Sequence, residues 1–313
     1  MNPIAPPVSW QRRAVMYLEL IRFSHTIFAL PFAVLAAVLA LCLPLPSGEA
    51  IHLRVRDMAG LLLCMVFARS AAMAFNRLVD RRYDATNPRT LDRHLPAGKL
   101  GVQEVWWFII GCCSAFVTTT ALFLPNWLPL AASIPVLCWL LGYSFAKRFT
   151  ASAHLWLGVA LALAPLCTWV ALRGIVVVDC PSDLMSPLLL SISVAWWVTG
   201  FDIIYACQDF EFDRQSGLNS IPAKFGLVIA LRIAAALHAG MVLALMCLPL
   251  VDSQLGLGTI YYVTLLAVAG LLAYQHYLVR PNDLRRVGLA FFQINAVISL
   301  VLMSSAAFDA WLG

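Results

Sequence analysis

The chain has 313 residues, 62% of them hydrophobic and 12% charged, with a formal net charge of +5. No soluble domain covers so much apolar surface, and the basic residues are scattered through short segments instead of one face, which excludes a nucleic-acid binder. The nine cysteines lie mostly in apolar runs, without a CxxC pair or Cys/His ligand spacing, so neither a zinc site nor a disulfide framework is expected.

In chain order, residues 1–25 are amphipathic, carry Arg12, Arg13 and Arg22, and are expected to lie along a membrane interface. The next apolar stretch is long enough to span a bilayer, and others follow, so it reads as a first transmembrane helix and not a cleaved leader. Nine spans are predicted, at about 26–46, 58–80, 101–123, 127–146, 153–172, 187–209, 226–249, 257–279 and 287–308. The expected fold is all-α: a polytopic membrane protein forming one domain over residues 1–313.

Alternating spans leave 17 Lys and Arg residues on one side and only Arg54, Arg56 and Arg173 on the other, with Arg69 inside the second span. The excess of basic residues marks the cytoplasmic side. This places the N-terminus in the cytoplasm and the C-terminus outside a cytoplasmic (bacterial inner) membrane.

Two acidic motifs close spans on that basic side. The second span ends in Asn76-Arg77-Leu78-Val79-Asp80-Arg81-Arg82-Tyr83-Asp84. Steps of four advance roughly 40° around a helix, so Asn76, Asp80 and Asp84 share one face. The sixth span ends in Asp202, Asp209 and Asp213, whose offsets return to within about 20° on a continuous helix. Each motif precedes a polar segment, near 85–100 and 210–225, long enough to form a cap.

Carboxylates brought together from two helices stay ionised only with cations between them. Oxygen donors without His or Cys suit Mg²⁺. Arg69, Arg77, Arg81, Arg82, Lys147 and Arg148 lie nearby in the sequence, and Mg²⁺ with basic side chains makes a diphosphate clamp. At the mouth of a helical bundle in lipid, the expected ligand is a lipid diphosphate. The competing reading, carboxylates along the ion path of a transporter, expects acids near the bilayer midplane and broken helices there.

Both motifs resemble those of the UbiA superfamily of intramembrane aromatic prenyltransferases. Asn76 to Asp84 is similar to its first aspartate-rich motif. Asp202 to Asp213 is similar to its second, with Gly217, Ser220 and Ile221-Pro222 following, and Tyr143-Ser144-Phe145-Ala146-Lys147-Arg148 resembles the segment between them. The resemblance implies nine helices around a central cavity open at the cytoplasmic face. It implies that Asn76, Asp80 and Asp84 hold one Mg²⁺ and that Asp209 and Asp213 hold another. Arg69, Arg77, Tyr143, Ser144, Lys147 and Arg148 would bind diphosphate oxygens or close the site. Asp202, deeper, would orient or deprotonate an acceptor phenol; its alternative is an ion pair with Arg69 or a lysine. Arg22 would bind an acceptor carboxylate, or else anchors the chain at the interface.

The implied reaction moves a polyprenyl group from polyprenyl diphosphate to an aromatic acid in quinone (ubiquinone or menaquinone) biosynthesis. The first-choice acceptor is 4-hydroxybenzoate and the alternative is 1,4-dihydroxy-6-naphthoate; both carry a phenol and a carboxylate. Phe23, Phe28, Phe75, Trp197, Phe201 and Tyr205 are candidate aromatic walls for an allylic cation. His25, His94 and His154 read as interfacial residues.

Overall fold

The computed structural model describes residues 10–21 and 28–312. Helix α1 (Trp10–Leu20) is followed, among the described residues, by nine longer helices. These are α2 (Leu30–Cys42), α3 (Val55–Asp84), α4 (Val102–Thr120), α5 (Leu128–Ala146), α6 (Ala153–Arg173), α7 (Met185–Ala206), α8 (Ile221–Val251), α9 (Thr259–Leu278) and α10 (Asn295–Leu312). Seven of them, all but α2 and α9, are long and apolar enough to cross a membrane on length and composition alone. Helix α2 is apolar but has 13 residues. The tyrosines, Gln275 and His276 of α9 dilute its apolar character. These two occupy the places of the first and eighth expected spans.

Helix α7 is the hub of the bundle. It packs most extensively on α6 and α8, and 67% of its span is buried against 17–39% for the other six. On one side α2 contacts α6 and α10, while α9 joins α8 to α10; on the other α3 packs on α4 and α5, and α5 on α6. Lipid gives no hydrophobic drive for helices to associate, so small residues that admit close backbone approach decide which faces meet. A Cβ on Gly158 of α6 would stand 2.4 Å from the Ala195 carbonyl oxygen, and one on Gly200 of α7 would stand 2.4 Å from His238 Nε2. Two hydroxyls of α7 are satisfied within their own helix: Ser193 Oγ donates to the Leu189 carbonyl and Thr199 Oγ1 to that of Ala195.

The two ends of the bundle are built differently. At the end away from the acids, the Arg173 guanidinium donates to the carbonyls of Ala40, Leu43 and Pro44 and pairs with Asp183. This ties the exit of α2 to the last turn of α6. At the acid end, Leu20 of α1 packs with Ala74, Leu78, Leu100 and Val105. The 85–100 segment folds back over the end of α3, where Thr90 Oγ1 donates to the Asp84 carbonyl at 3.1 Å and Arg93 Nη1 to Asp84 Oδ1 at 2.7 Å.

The second acidic motif does not lie on one continuous helix. Helix α7 ends at Ala206, a 3₁₀ turn covers Cys207–Asp209, and a short helix covers Phe210–Gln215. The tighter winding of the turn removes the 3.6-residue phase on which the spacing argument relied. Gly217 then reverses the chain at φ 68°, which only glycine adopts without strain. The Asn219 N–H pins the reversal to the Lys147 carbonyl at 2.7 Å.

Candidate active site

A cavity of about 590 Å³ opens at the acid end and runs down between α3, α5, α6 and α7. Asn76, Asp80 and Asp84 line it from α3, and Asp202, Asp209 and Asp213 from the end of α7 and beyond. The wall between them carries Arg69, Arg77, Tyr143, Ser144, Lys147 and Arg148. The expected metal, diphosphate and acceptor residues line this one cavity, except Arg22, which lies outside the described residues; Arg81 and Arg82, also offered for the clamp, do not line it, and Arg81 Nη1 donates instead to the Leu78 carbonyl at 2.8 Å. Below the charged mouth the lining turns apolar, with Leu61, Met65, Phe116, Phe123, Leu163 and Val170. The acids thus sit at helix ends and not at mid-span.

Local structure explains how these groups converge. The period of α3 stacks Asn76 and Asp80 so that Asn76 Nδ2 donates to Asp80 Oδ2 at 3.1 Å. Arg148, just past the end of α5, reaches across to Asp80 Oδ1 at 3.6 Å and to the Val79 carbonyl at 2.9 Å. Lys147 is in electrostatic contact with Asp213, Asp202, Asp80 and Asp209.

Three polar residues that the sequence did not single out complete the mouth. Asn87 Nδ2 donates to Asp209 Oδ1 at 3.2 Å. Arg89 closes a two-pronged ion pair on Asp209, Nε to Oδ1 and Nη2 to Oδ2, and its Nη1 donates to the Tyr205 hydroxyl at 2.9 Å. Burial opposes the Arg89 charge, but the hydrogen bonds to Asp209 hold its pKa above the ordinary arginine range. Arg93 pairs with Asp84. Their charges were visible in the sequence; which acid each meets depends on how the 85–100 segment turns.

The aromatic walls are partly as expected. Phe28, Phe201 and Tyr205 line the cavity. Phe291, which was not anticipated, completes the group at ring-centroid distances of 5.4 Å to Phe201 and 4.3 Å to Tyr205. Trp197 instead lies in the core against Phe32, with its Nε1 donating to Asn295 Oδ1. Phe75 packs against Trp106 and Phe145, away from the cavity. Phe23 and His25 lie outside the described residues.

The histidines divide as well. His94 stays near the rim, 3.1 Å from Glu19. His154 is not interfacial: its side chain is fully buried and meets Asp202. Lys147 is in electrostatic contact with the same carboxylate, as the lysine alternative expected.

Whether these residues suit a divalent cation is tested by atoms left without partners. Asp84 Oδ2, Asp213 Oδ2 and Ser144 Oγ are buried and make no hydrogen bond. A buried carboxylate oxygen without a donor is costly, and a hard cation is the group that relieves it. Among the described residues no three His, Cys, Asp or Glu side chains converge tightly enough to enclose a metal by themselves. Mg²⁺ is a hard cation of the kind those orphaned oxygens call for: it keeps several waters and takes a few carboxylates together with phosphate oxygens.

Residues 29–297 match the UbiA prenyltransferase family. The chain belongs to this family. Over 312 residues it is 29% identical to a 4-hydroxybenzoate octaprenyltransferase of Xanthomonas campestris pv. campestris, covering 97% of this chain and 95% of that one. The fold agrees with the apo structure of a UbiA homolog from Aeropyrum pernix K1 at a TM-score of 0.77, 31% identity, and coverage of 91% of this chain and 98% of that chain. It also agrees with a UbiA homolog from Archaeoglobus fulgidus bound to GPP and Mg²⁺, at a TM-score of 0.67 and 19% identity, over 95% of this chain and 99% of that chain. The protein is thus a multi-pass integral membrane prenyltransferase of the UbiA family.

Proposed function

We propose that this chain, as a single domain, transfers a polyprenyl group from polyprenyl diphosphate to 4-hydroxybenzoate and releases diphosphate, in quinone biosynthesis. One observation carries the reading: two acidic motifs, distant in sequence, meet basic side chains at the mouth of a cavity whose lower half is apolar. The charged mouth suits a diphosphate and the apolar shaft suits its tail. The A. fulgidus homolog bound to GPP and Mg²⁺ and the octaprenyltransferase relative support both parts.

Asn76, Asp80 and Asp84, with Asp209 and Asp213, would hold Mg²⁺, which when bound offsets the charge that develops on diphosphate as the allylic C–O bond breaks. Arg77, Tyr143, Ser144, Lys147 and Arg148 bind diphosphate oxygens, and Arg69 closes the site below them. Phe28, Phe201, Tyr205 and Phe291 line the cavity, and aromatic rings there would attract an allylic carbon gaining positive charge. The apolar shaft keeps water from that carbon. Asp202 orients the acceptor phenol and takes its proton as the ring carbon attacks, and Arg22 receives the acceptor carboxylate. The excess of basic residues at this end supports a cytoplasmic site and N-terminus.

The test is purified protein with one polyprenyl diphosphate, Mg²⁺ and a panel of phenolic acids, read by mass spectrometry. A prenylated 4-hydroxybenzoate is expected. A product only with 1,4-dihydroxy-6-naphthoate would move the acceptor assignment to menaquinone, and no product with any phenol would remove the aromatic-acceptor reading.

A further inference from the structure

The Asp202 carboxylate has a partner from another helix. His154 Nδ1, at the start of α6, lies 2.7 Å from Asp202 Oδ2. The other ring nitrogen, Nε2, receives the backbone N–H of Ile221 at 3.2 Å. A backbone N–H only donates, so Nε2 presents its lone pair. The ring proton is therefore on Nδ1 and is donated to Asp202, and the contact is a hydrogen bond from a neutral imidazole to a carboxylate. The second partner fixes the tautomer.

These bonds also place His154 in a specific position in the chain path. Asp202 and Ile221 bracket the segment that carries Asp209 and Asp213, and His154 is bonded to both ends of it. Ile221 opens α8 directly after its N-cap Ser220, whose Oγ accepts from the Ala223 N–H. One buried ring thus sets the depth of Asp202 relative to the rest of the second acidic motif. It engages Oδ2 of a carboxylate that lines the cavity, where Lys147 is also in electrostatic contact with it.

We propose that His154 is a positioning residue for prenyl transfer: as the Nδ1–H tautomer it orients Asp202 so that its carboxylate meets the acceptor hydroxyl. This rests on the reading of Asp202 as the acceptor-facing carboxylate, and it adds a residue that touches neither substrate. A purely structural role for His154 would operate through Ile221, by tying the start of α6 to the start of α8. A positioning role operates through Asp202.

Two substitutions in the full-length protein separate them. In His154→Asn the amide nitrogen falls near the position of Nδ1, keeping a donor for Asp202 and losing the acceptor for Ile221. In His154→Gln the amide oxygen reaches toward the position of Nε2, keeping the acceptor for Ile221 and losing the donor. Turnover by His154→Asn is expected within about threefold of the parent, while kcat of His154→Gln falls about tenfold or more, the scale of one hydrogen bond to a charged group. KM for polyprenyl diphosphate and the Mg²⁺ requirement stay unchanged in both. Equal losses in the two variants, or a larger loss in His154→Asn, would overturn the proposal. If His154→Gln does not accumulate, His154→Ala replaces it and must fall below His154→Asn. Asp202→Asn is the separate control: full turnover there would sink the reading of Asp202 itself, whereas an inactive Asp202→Asn with matched His154 variants would sink only the role of His154.

Discussion

Arg89 grips Asp209 across 120 residues of sequence, with two guanidinium nitrogens on the two carboxylate oxygens. The same carboxylate is one that the proposed chemistry gives to a cation. Arg89 is therefore bonded to a carboxylate that Mg²⁺ would share with it, and the 85–100 segment is latched to the cavity mouth by it. Its raised pKa has a definite sign: the stabilisation is fully present below the unfolded arginine value and is lost only as pH rises through the folded one, so the latch is intact at neutral pH.

Removing that grip is expected to free Asp209. For Arg89→Ala, Mg²⁺ binding without prenyl diphosphate, measured by calorimetry in detergent, should tighten about three- to tenfold, the scale of one charge-assisted contact. Unchanged or weaker Mg²⁺ binding would show that Arg89 and Mg²⁺ do not compete for Asp209.

The acids themselves are expected to be indispensable to turnover and dispensable to folding. Asp80→Ala and Asp209→Ala should each lower Mg²⁺-dependent diphosphate release by more than about a hundredfold, as for loss of a charge-stabilising group. Thermal unfolding in detergent should stay close to that of the parent for Asp80→Ala and drop modestly for Asp209→Ala, which leaves Arg89 without its carboxylate. Chelation of the parent protein with EDTA should abolish release and added Mg²⁺ should restore it. Full turnover in either variant would end the two-motif account.

Close approach between helices gives a prediction on stability alone. A Cβ on Gly158 would stand 2.3 Å from Thr199 Oγ1 and 2.4 Å from the Ala195 carbonyl oxygen, and backbone atoms cannot yield to it. Gly158→Ala is expected to cost about 1–3 kcal/mol, read as a lower unfolding temperature. Gly111→Ala on α4 meets nothing within 4 Å. It should be neutral or slightly stabilising, because alanine is the better helix former.

At the far end of the bundle, Arg173→Ala would leave Asp183 buried without its cation and three carbonyls without a donor. Breaking such a pair costs about 3–5 kcal/mol. The expected signature is a large drop in melting temperature with kcat of the folded fraction unchanged, since Arg173 ends α6 opposite the acids. A fall in kcat at full stability would contradict this division of labour.

Much of the site was legible before any tertiary contact was known. Asn76, Asp80 and Asp84 share a face because helical phase is local, and the fourfold step showed it. Asp202, Asp209 and Asp213 were found by their charge at the end of an apolar span, although the geometric reason offered for them did not hold. The 3₁₀ turn at Cys207–Asp209 has no glycine or proline to announce it, and it forms where the chain turns over the cavity mouth. His154 was misread for a related cause. A histidine near a helix end is indistinguishable in sequence from an interfacial one until the carboxylate 48 residues away is brought to 2.7 Å. Trp197 and Phe75 were candidate walls because they are aromatic and near the motifs; their positions on α7 and α3 turn them toward Asn295 and Trp106 instead.

By itself the sequence determined that this chain lies in a membrane, where its helices run, and which ends carry acid. Apolar length and helical period are properties of neighbouring residues, and they survive any arrangement of the bundle. Only the tertiary structure decided which cation holds which acid, that His154 stands behind Asp202, and that Phe291 closes the aromatic wall. Those pairings join groups far apart in the chain, and their geometry is set by glycine contacts between helices and by the turns of two polar segments, neither of which leaves a periodic trace.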